Sequence, residues 1–298
     1  MKVCDQEVRV QGSLIRIARL EGDGYLFLDN PEVFLNGLRQ SGVRIDLFTF
    51  IQKLPETAPK YAYPMEWDNF AAVPVSTFDH WWTEQIGFKG RNKAKQAEKK
   101  GVVIREMPFD DILVKGICEI YNETPIRQGR RFSHYGKDFK TVYREEATFL
   151  DRSVFIGAFL GDKLIGFVKL VADETGTQAG LMNILSMISQ RDKAPTNALI
   201  AQAVRWCSGR GISFLVYSRF AYGSKVHSSI TDFKERNGFK RIDVPRYFVP
   251  LTPIGRAAFR FGLHHGIVDY FPESLLSRVR KLRSAWYNRK YQGVSEAS

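Results

Sequence analysis

Two apolar runs, S-V-F-I-G-A-F-L (Ser153–Leu160) and L-I-G-F-V-K-L-V-A (Leu164–Ala172), flank a Gly161-Asp162 turn and constrain this chain more than any other feature. Apolar runs of strand length joined by so short a Gly-containing connection predict an antiparallel hairpin. The surrounding segments supply both strand and helix patterns. V-V-I-R-E-M (Val102–Met107) reads as a strand, and Asp110–Asn122 as a helix with Ile112, Ile117, Ile120 and Tyr121 inward. The loop Thr124–Gly136 leads to a second helix over Asp138–Leu150. After the hairpin come a strand at Ala179–Ile188, a loop at Gln190–Pro195 and a helix, T-N-A-L-I-A-Q-A-V-R-W-C-S, ending on Gly209 and Gly211. Phe214–Ser218 is a further strand, T-D-F-K-E-R-N-G-F a short helix ending at Gly238, and Val244–Leu251 the closing strand.

Ahead of this unit, Val8–Asp29 alternates like two strands around Gly22-Asp23-Gly24, Asn30-Pro31 opens a helix closed by Gly42, and Arg44–Phe50 is a strand before the Pro55–Pro64 loop. The expected fold class is therefore α/β (α+β): a smaller α/β unit over 1–88, a mixed sheet flanked by helices over 89–251, and a basic helical segment over 252–298. In that last segment Leu275, Leu276, Val279, Leu282 and Trp286 share one face, with Arg278, Arg280, Lys281, Arg283, Arg289 and Lys290 off it.

With 298 residues, 44% of them apolar, the chain can build an ample core; its net charge of +12 favours polyanionic partners. The charge is clustered, in Lys89, Arg91, Lys93, Lys95, Lys99, Lys100 and Arg105, opposed only by Glu98 and Glu106, as well as in the C-terminal segment. Such groups bind phosphate backbones, and a cationic amphipathic helix equally suits an anionic membrane surface. Solvated helix faces are the common alternative. Cys4, Cys118 and Cys207 form no C-x-x-C pair, the five histidines no H-E-x-x-H, and His264-His265 is a lone doublet, so no metal site is implied. A reducing, cytoplasmic compartment is expected, without a signal peptide or a membrane span.

The element order over 101–252, the stretch L-G-D-K-L-I-G-F-V-K-L and the helix-turn F-K-E-R-N-G-F-K-R resemble the Gcn5-related N-acetyltransferase (GNAT) fold. R-N-K-A-K-Q-A-E-K-K-G-V-V-I-R-E (Arg91–Glu106) resembles the entry to the second domain of Fem-type proteins, GNAT-fold aminoacyltransferases that draw on aminoacyl-tRNA. Their final helix carries Phe-Lys where acetyltransferases carry tyrosine, which is similar to Phe233-Lys234 here. Two departures stand out: the chain is shorter than most Fem enzymes and has no helical-arm insertion. The resemblance implies an acyltransferase moving an aminoacyl or acyl group to an amine, with aminoacyl-tRNA as favoured donor and no tightly bound cofactor. It also implies that the 1–88 unit is a degenerate GNAT-like half. The first alternative is an acyl-CoA-dependent N-acyltransferase acting on a nucleotide-linked sugar or another small amine. The second is a non-catalytic tRNA- or membrane-binding protein on a degenerate transferase scaffold.

On this reading Lys234 supplies the charge that stabilises the tetrahedral oxyanion; otherwise it is a solvated charge beside Asp232, Glu235 and Arg236. The loop between the first two helices is expected over the acceptor site, with Glu123, Arg127, Arg130, Arg131 and Tyr135 holding a phosphate or carboxylate on a small amine. His134 is the expected base and Glu123 its alternative; the bland reading is a surface loop pinned by its aromatics. The donor is expected at Arg191, Lys193, Thr196 and Asn197, where a glycine-rich phosphate turn is usual but Q-R-D-K-A-P contains no glycine. A plain helix start, with Pro195 near N1 and Thr196 capping, is the competing account. Tyr217 and Tyr222 are candidate proton donors, or simply packing.

Overall fold

The computed structural model describes residues 1–221 and 228–265, with 282, 283, 286 and 287 beyond them. Tyr222, and all but Leu282, Arg283, Trp286 and Tyr287 of the segment after His265, therefore lie outside the described residues. The chain begins with strands β1 (Lys2–Val3), β2 (Gln6–Gln11) and β3 (Ile17–Leu20), helix α1 (Pro31–Gln40), and strands β4 (Leu47–Ile51) and β5 (Met65–Pro74). A short helix, α2 (Phe78–His80), continues as a π-helical turn over Trp81–Gln85 into α3 (Phe88–Lys99). Then follow β6 (Val102–Met107), α4 (Asp111–Asn122), the two-residue strands β7 (Ile126–Arg127) and β8 (Arg130–Arg131), and α5 (Phe139–Glu146). The hairpin β9 (Ser153–Leu160) and β10 (Lys163–Ala172) leads to β11 (Gln178–Ser186), α6 (Pro195–Ser208) and β12 (Phe214–Val216). Helix α7 (Ser229–Arg236), β13 (Lys240–Pro250) and α8 (Pro253–Arg260) complete the described elements.

Among the described residues, every strand but β7 and β8 joins one mixed sheet, ordered β1-β2-β3-β4-β13-β5-β12-β11-β10-β9-β6. The division expected at residue 88 does not interrupt it: β13 lies between β4 and β5, antiparallel to both, and β5 pairs with β12. Strands β9 and β10 are buried along almost their whole length, as expected where helices cover a sheet. Leu113, Val114, Ile117, Ile120 and Tyr121 of α4 and Leu199, Ile200, Ala203 and Val204 of α6 belong to one hydrophobic cluster with residues of β9 and β10.

Three local expectations need correction. Ile112 is 73% exposed. At about 100° per residue, Leu113 and Val114 share the inward face with Ile117, whereas Ile112 does not. Residues 25–29 form no strand, because Tyr25 lies over the bare Cα of Gly180 and donates its hydroxyl to the Leu181 carbonyl, so the segment crosses the sheet face. Strand β5, unread in the sequence, is central to the sheet. Its aromatic residues and the Asp68-Asn69 pair mask the alternation.

Candidate functional site

Strand β11 pairs with β10 as far as Ser186 but with β12 only through Gln178–Gly180. Beyond Gly180 the two parallel strands part, and the N-terminus of α6 faces the opening. A cleft of about 540 Å³ lies there, lined by Ser186, Thr196 and Asn197, by Lys89, Asn92, Lys93 and Gln96 of α3, and by Phe233, Arg236 and Asn237 of α7. Helices α3 and α7 approach closely because Gly90 has no side chain; a Cβ there would stand 2.0 Å from the Arg236 carbonyl oxygen.

The donor-side residues divide. Arg191 lines the cleft, whereas Lys193 pairs with Asp192 at 3.5 Å and does not. Pro195 begins α6, but Thr196 does not cap it. The cap position is Ala194, in the left-handed region at φ 52°, and the Thr196 hydroxyl instead meets Ser186 Oγ at 3.0 Å. The Asn197 amide donates to Asn237 Oδ1 at 3.0 Å, and Asn237 in turn to the Phe233 carbonyl at 2.8 Å. Asn197 thus locks α6 to the end of α7.

Lys234 is fully buried, which removes the reading of a solvated helix-face charge. Its neighbours Phe233, Arg236 and Asn237 line the cleft, while its own Nζ turns to the end of β12. There it donates to the Arg219 carbonyl and lies 4.8 Å from the Tyr217 ring centroid. Burial pushes its pKa down to about 8. Ser218 and Arg219, which follow Tyr217, line a second cleft of about 310 Å³ on the opposite sheet face, with Arg19, Asp68 and Arg246. Tyr217 packs edge-on against Phe239 at 5.7 Å.

The acceptor-side loop is held by its own charged residues. Glu123 accepts from the Ile188 and Ser189 amides at 2.5 and 2.8 Å, from the Ser189 hydroxyl at 2.7 Å and from Arg127 at 3.4 Å. Burial raises its pKa, but the Ser189 and Ile188 donors and Arg127 outweigh that and hold it below the usual carboxylate range. Glu123 is thereby a clamp and a weakened base. Arg127 donates to the Ser186 and Ile120 carbonyls, both at 2.8 Å, and lies 4.6 Å from the Phe132 ring centroid. Arg130 and Arg131 are exposed, and Tyr135 is half-buried.

His134 packs on Tyr121, with ring centroids 4.4 Å apart, and its Nδ1 faces Lys137 Nζ at 3.2 Å. Burial, then Lys137, lowers its pKa, so the ring is neutral at pH 7. An ammonium can only donate. Nδ1 must therefore accept, the ring proton sits on Nε2, and no imidazole lone pair is left for a substrate proton while Lys137 is charged.

Sequence reasoning missed Glu146, which is 1% exposed. Its Oε1 accepts from Tyr121 at 2.9 Å and from Asn183 at 2.7 Å, while its buried Oε2 has no hydrogen-bond partner among the described residues. Burial raises its pKa. Lys169, fully buried on β10, donates to the Glu146 and Thr148 carbonyls, both at 2.6 Å, and burial pushes its pKa down to about 8. The lone lysine in L-I-G-F-V-K-L-V-A was the available signal: a charge on a doubly covered strand needs partners.

No family model and no curated protein matches the sequence. Solved structures do. The C-terminal domain (DUF2156) of a putative lysylphosphatidylglycerol synthetase from Agrobacterium fabrum is 14% identical, with a TM-score of 0.54 over 87% of this chain and 86% of that one. L-PGS from Bacillus licheniformis is 12% identical, with a TM-score of 0.53 over the same shares. FemX is 13% identical, covering 80% of this chain and 72% of that one at a TM-score of 0.49. No helix of the described residues is long and apolar enough to cross a membrane. At such identities the likeness is one of fold alone: the chain has a GNAT-like fold, a large mixed sheet flanked by helices.

Proposed function

We propose that this chain is an acyltransferase that moves an aminoacyl or acyl group onto an amine, with aminoacyl-tRNA as the favoured donor and no tightly bound cofactor. The observation that carries the reading is Lys234: a fully buried amine with a depressed pKa on α7, whose neighbours Phe233, Arg236 and Asn237 line the cleft while its own Nζ donates to the Arg219 carbonyl at the end of β12. In the reaction the acceptor nitrogen attacks the ester carbonyl carbon, the bond to the ribose oxygen breaks, and the amine proton ends on that oxygen. Negative charge develops first on the carbonyl oxygen and then on the leaving oxygen. An ammonium in a water-poor site stabilises both far better than it would in bulk water.

The tRNA donor is supported by the exposed cations of α3, where Lys89, Lys93, Lys95 and Lys99 continue outward from the cleft. Arg130 and Arg131 on the exposed β7–β8 hairpin would meet a phosphate- or carboxylate-bearing acceptor. The synthetase named among the similar structures, and the exposed Phe261 and Leu263 after α8, raise a membrane-surface acceptor as one form of this reading.

A second reading, acyl-CoA as donor, is favoured by one feature: Arg191 and Thr196 face the cleft at the start of α6, where an anionic ligand would meet the helix dipole. Incubation with labelled aminoacyl-tRNA and, separately, labelled acetyl-CoA, each with a panel of amines, separates the two. Transfer from the first and not the second is expected. Tight coenzyme A binding with indifference to tRNA would exclude the favoured donor, and inactivity with both would leave the non-catalytic scaffold.

A further inference from the structure

The histidine doublet acquires a partner that lies 198 residues away in sequence. His264 Nε2 stands 2.9 Å from Glu66 Oε1, and His265 Nε2 stands 3.2 Å from the same oxygen. One donor atom from each of the three residues lies within 4.8 Å of the others. The His264 side chain is 1% exposed and is enclosed by Phe248 and Phe259, with ring centroids at 4.6 and 5.0 Å. Its second nitrogen, Nδ1, faces the Ala258 carbonyl oxygen at 3.4 Å.

With the ring proton on Nδ1, facing the Ala258 carbonyl, the His264 Nε2 lone pair is directed at the carboxylate oxygen, and one cation among the three groups would satisfy that arrangement. Zinc bonds to imidazole and carboxylate run about 2.0–2.2 Å, so tetrahedral ligand atoms lie about 3.4 Å apart; the two spacings here need to open by only about 0.5 Å or less. An Nδ1–H held by a backbone carbonyl is also the usual outer support of a metal-bound histidine.

The site borders a third cleft, of about 480 Å³, shared with Trp67, Asp68, Arg219, Arg241 and Arg246. Three of its guanidinium groups are already ion-paired: Arg219 and Arg246 with Asp68, and Arg241 with Asp243. Arg19 also lines the cleft. Arg246 also pairs with Asp23, so three acids stand against four guanidinium groups, and the donor set itself brings one carboxylate to two imidazoles.

We infer that Glu66, His264 and His265 form a binding site for a divalent transition-metal ion of the zinc class. The ion would have three protein ligands and one position open to the cleft for water or an anionic oxygen. Imidazole with carboxylate selects zinc, cobalt or nickel over magnesium and calcium. The ion would tie β5 to the segment that follows α8, a role independent of the acyl-transfer reading.

The test uses the untagged full chain, stripped with a chelator and titrated with cobalt(II), with zinc as competitor. One equivalent should bind with the visible absorption of a four-coordinate N/O site, zinc should displace it, and zinc should raise the melting temperature. Glu66→Gln and His265→Gln, both at partly exposed side chains, should abolish the absorption and the zinc-dependent shift while leaving the metal-free circular dichroism spectrum unchanged. His264→Ala is the less informative variant, because it opens a buried site. Absence of saturable binding in the wild-type chain, or full-strength binding that persists in both glutamine variants, overturns the assignment.

Discussion

Replacing Lys234 with methionine separates a structural role from a chemical one, because burial gives the two opposite signs. The folded chain holds this amine at a pKa of about 8 against an ordinary 10.5. Between those values the unfolded chain binds more protons than the folded one, so this group makes stability rise with pH from about 8 to 10.5. At pH 7 the buried ammonium costs stability, roughly 2–3 kcal/mol after allowance for solvent screening. Lys234→Met, of similar length and apolar, should therefore be at least as stable as the wild type at pH 7 by urea midpoint, and its stability gain above pH 8 should be the smaller. Turnover should move the other way. Losing one charge-stabilising donor raises the barrier by about 3–4 kcal/mol, a fall of about 10²–10³-fold in kcat. The wild-type rate should also decline about tenfold per pH unit above a pKa near 8, and that limb should vanish from the residual rate of the variant. Undiminished turnover in a folded Lys234→Met protein would refute the reasoning. A variant that lost stability and turnover together would mark the lysine as structural.

Glu123→Gln should loosen the 122–138 loop from residues 188–189 and cost about 1–3 kcal/mol by denaturant midpoint. Because the folded carboxyl of Glu123 titrates below its ordinary 4.5, that stability is present above pH 4.5 and is lost as pH falls below it, a loss the glutamine variant should not show. Glu146→Gln keeps an acceptor for Tyr121 and Asn183 but removes the carboxyl that opposes the buried Lys169 ammonium, and should lower stability at pH 7 by the same measurement. Gly90→Ala must push α3 from α7 and should cost about 1–3 kcal/mol in thermal unfolding. Charge reversal at Lys93, Lys95 and Lys99 should weaken tRNA binding in filter assays and flatten its salt dependence by about one unit for each phosphate no longer neutralised, with circular dichroism unchanged.

What was readable in the sequence followed the range of the interaction. The β9–β10 hairpin, α4 and α6 declare themselves through local periodicity, a Gly161-Asp162 turn and an Asp110 cap that accepts from Leu113 at 2.8 Å. The insertion of β13 between β4 and β5 is a long-range pairing with no local signature. The same distinction governs the site. Phe233-Lys234 was visible as a motif, but only packing shows that the amine is buried. Glu123, Arg127 and His134 have the residue types of an acceptor site, yet their hydrogen bonds turn inward, to Ser189, Ser186 and Lys137. Glu146 and Lys169 were missed because their meaning lies in burial rather than in spacing.

The most direct test is single-turnover transfer from labelled aminoacyl-tRNA to an amine by the wild-type chain and by Lys234→Met, both verified as folded. The account predicts a labelled amide from the wild type and a rate lower by at least about a hundredfold in the variant. Equal rates in the two proteins, or transfer from acyl-CoA alone, would contradict it.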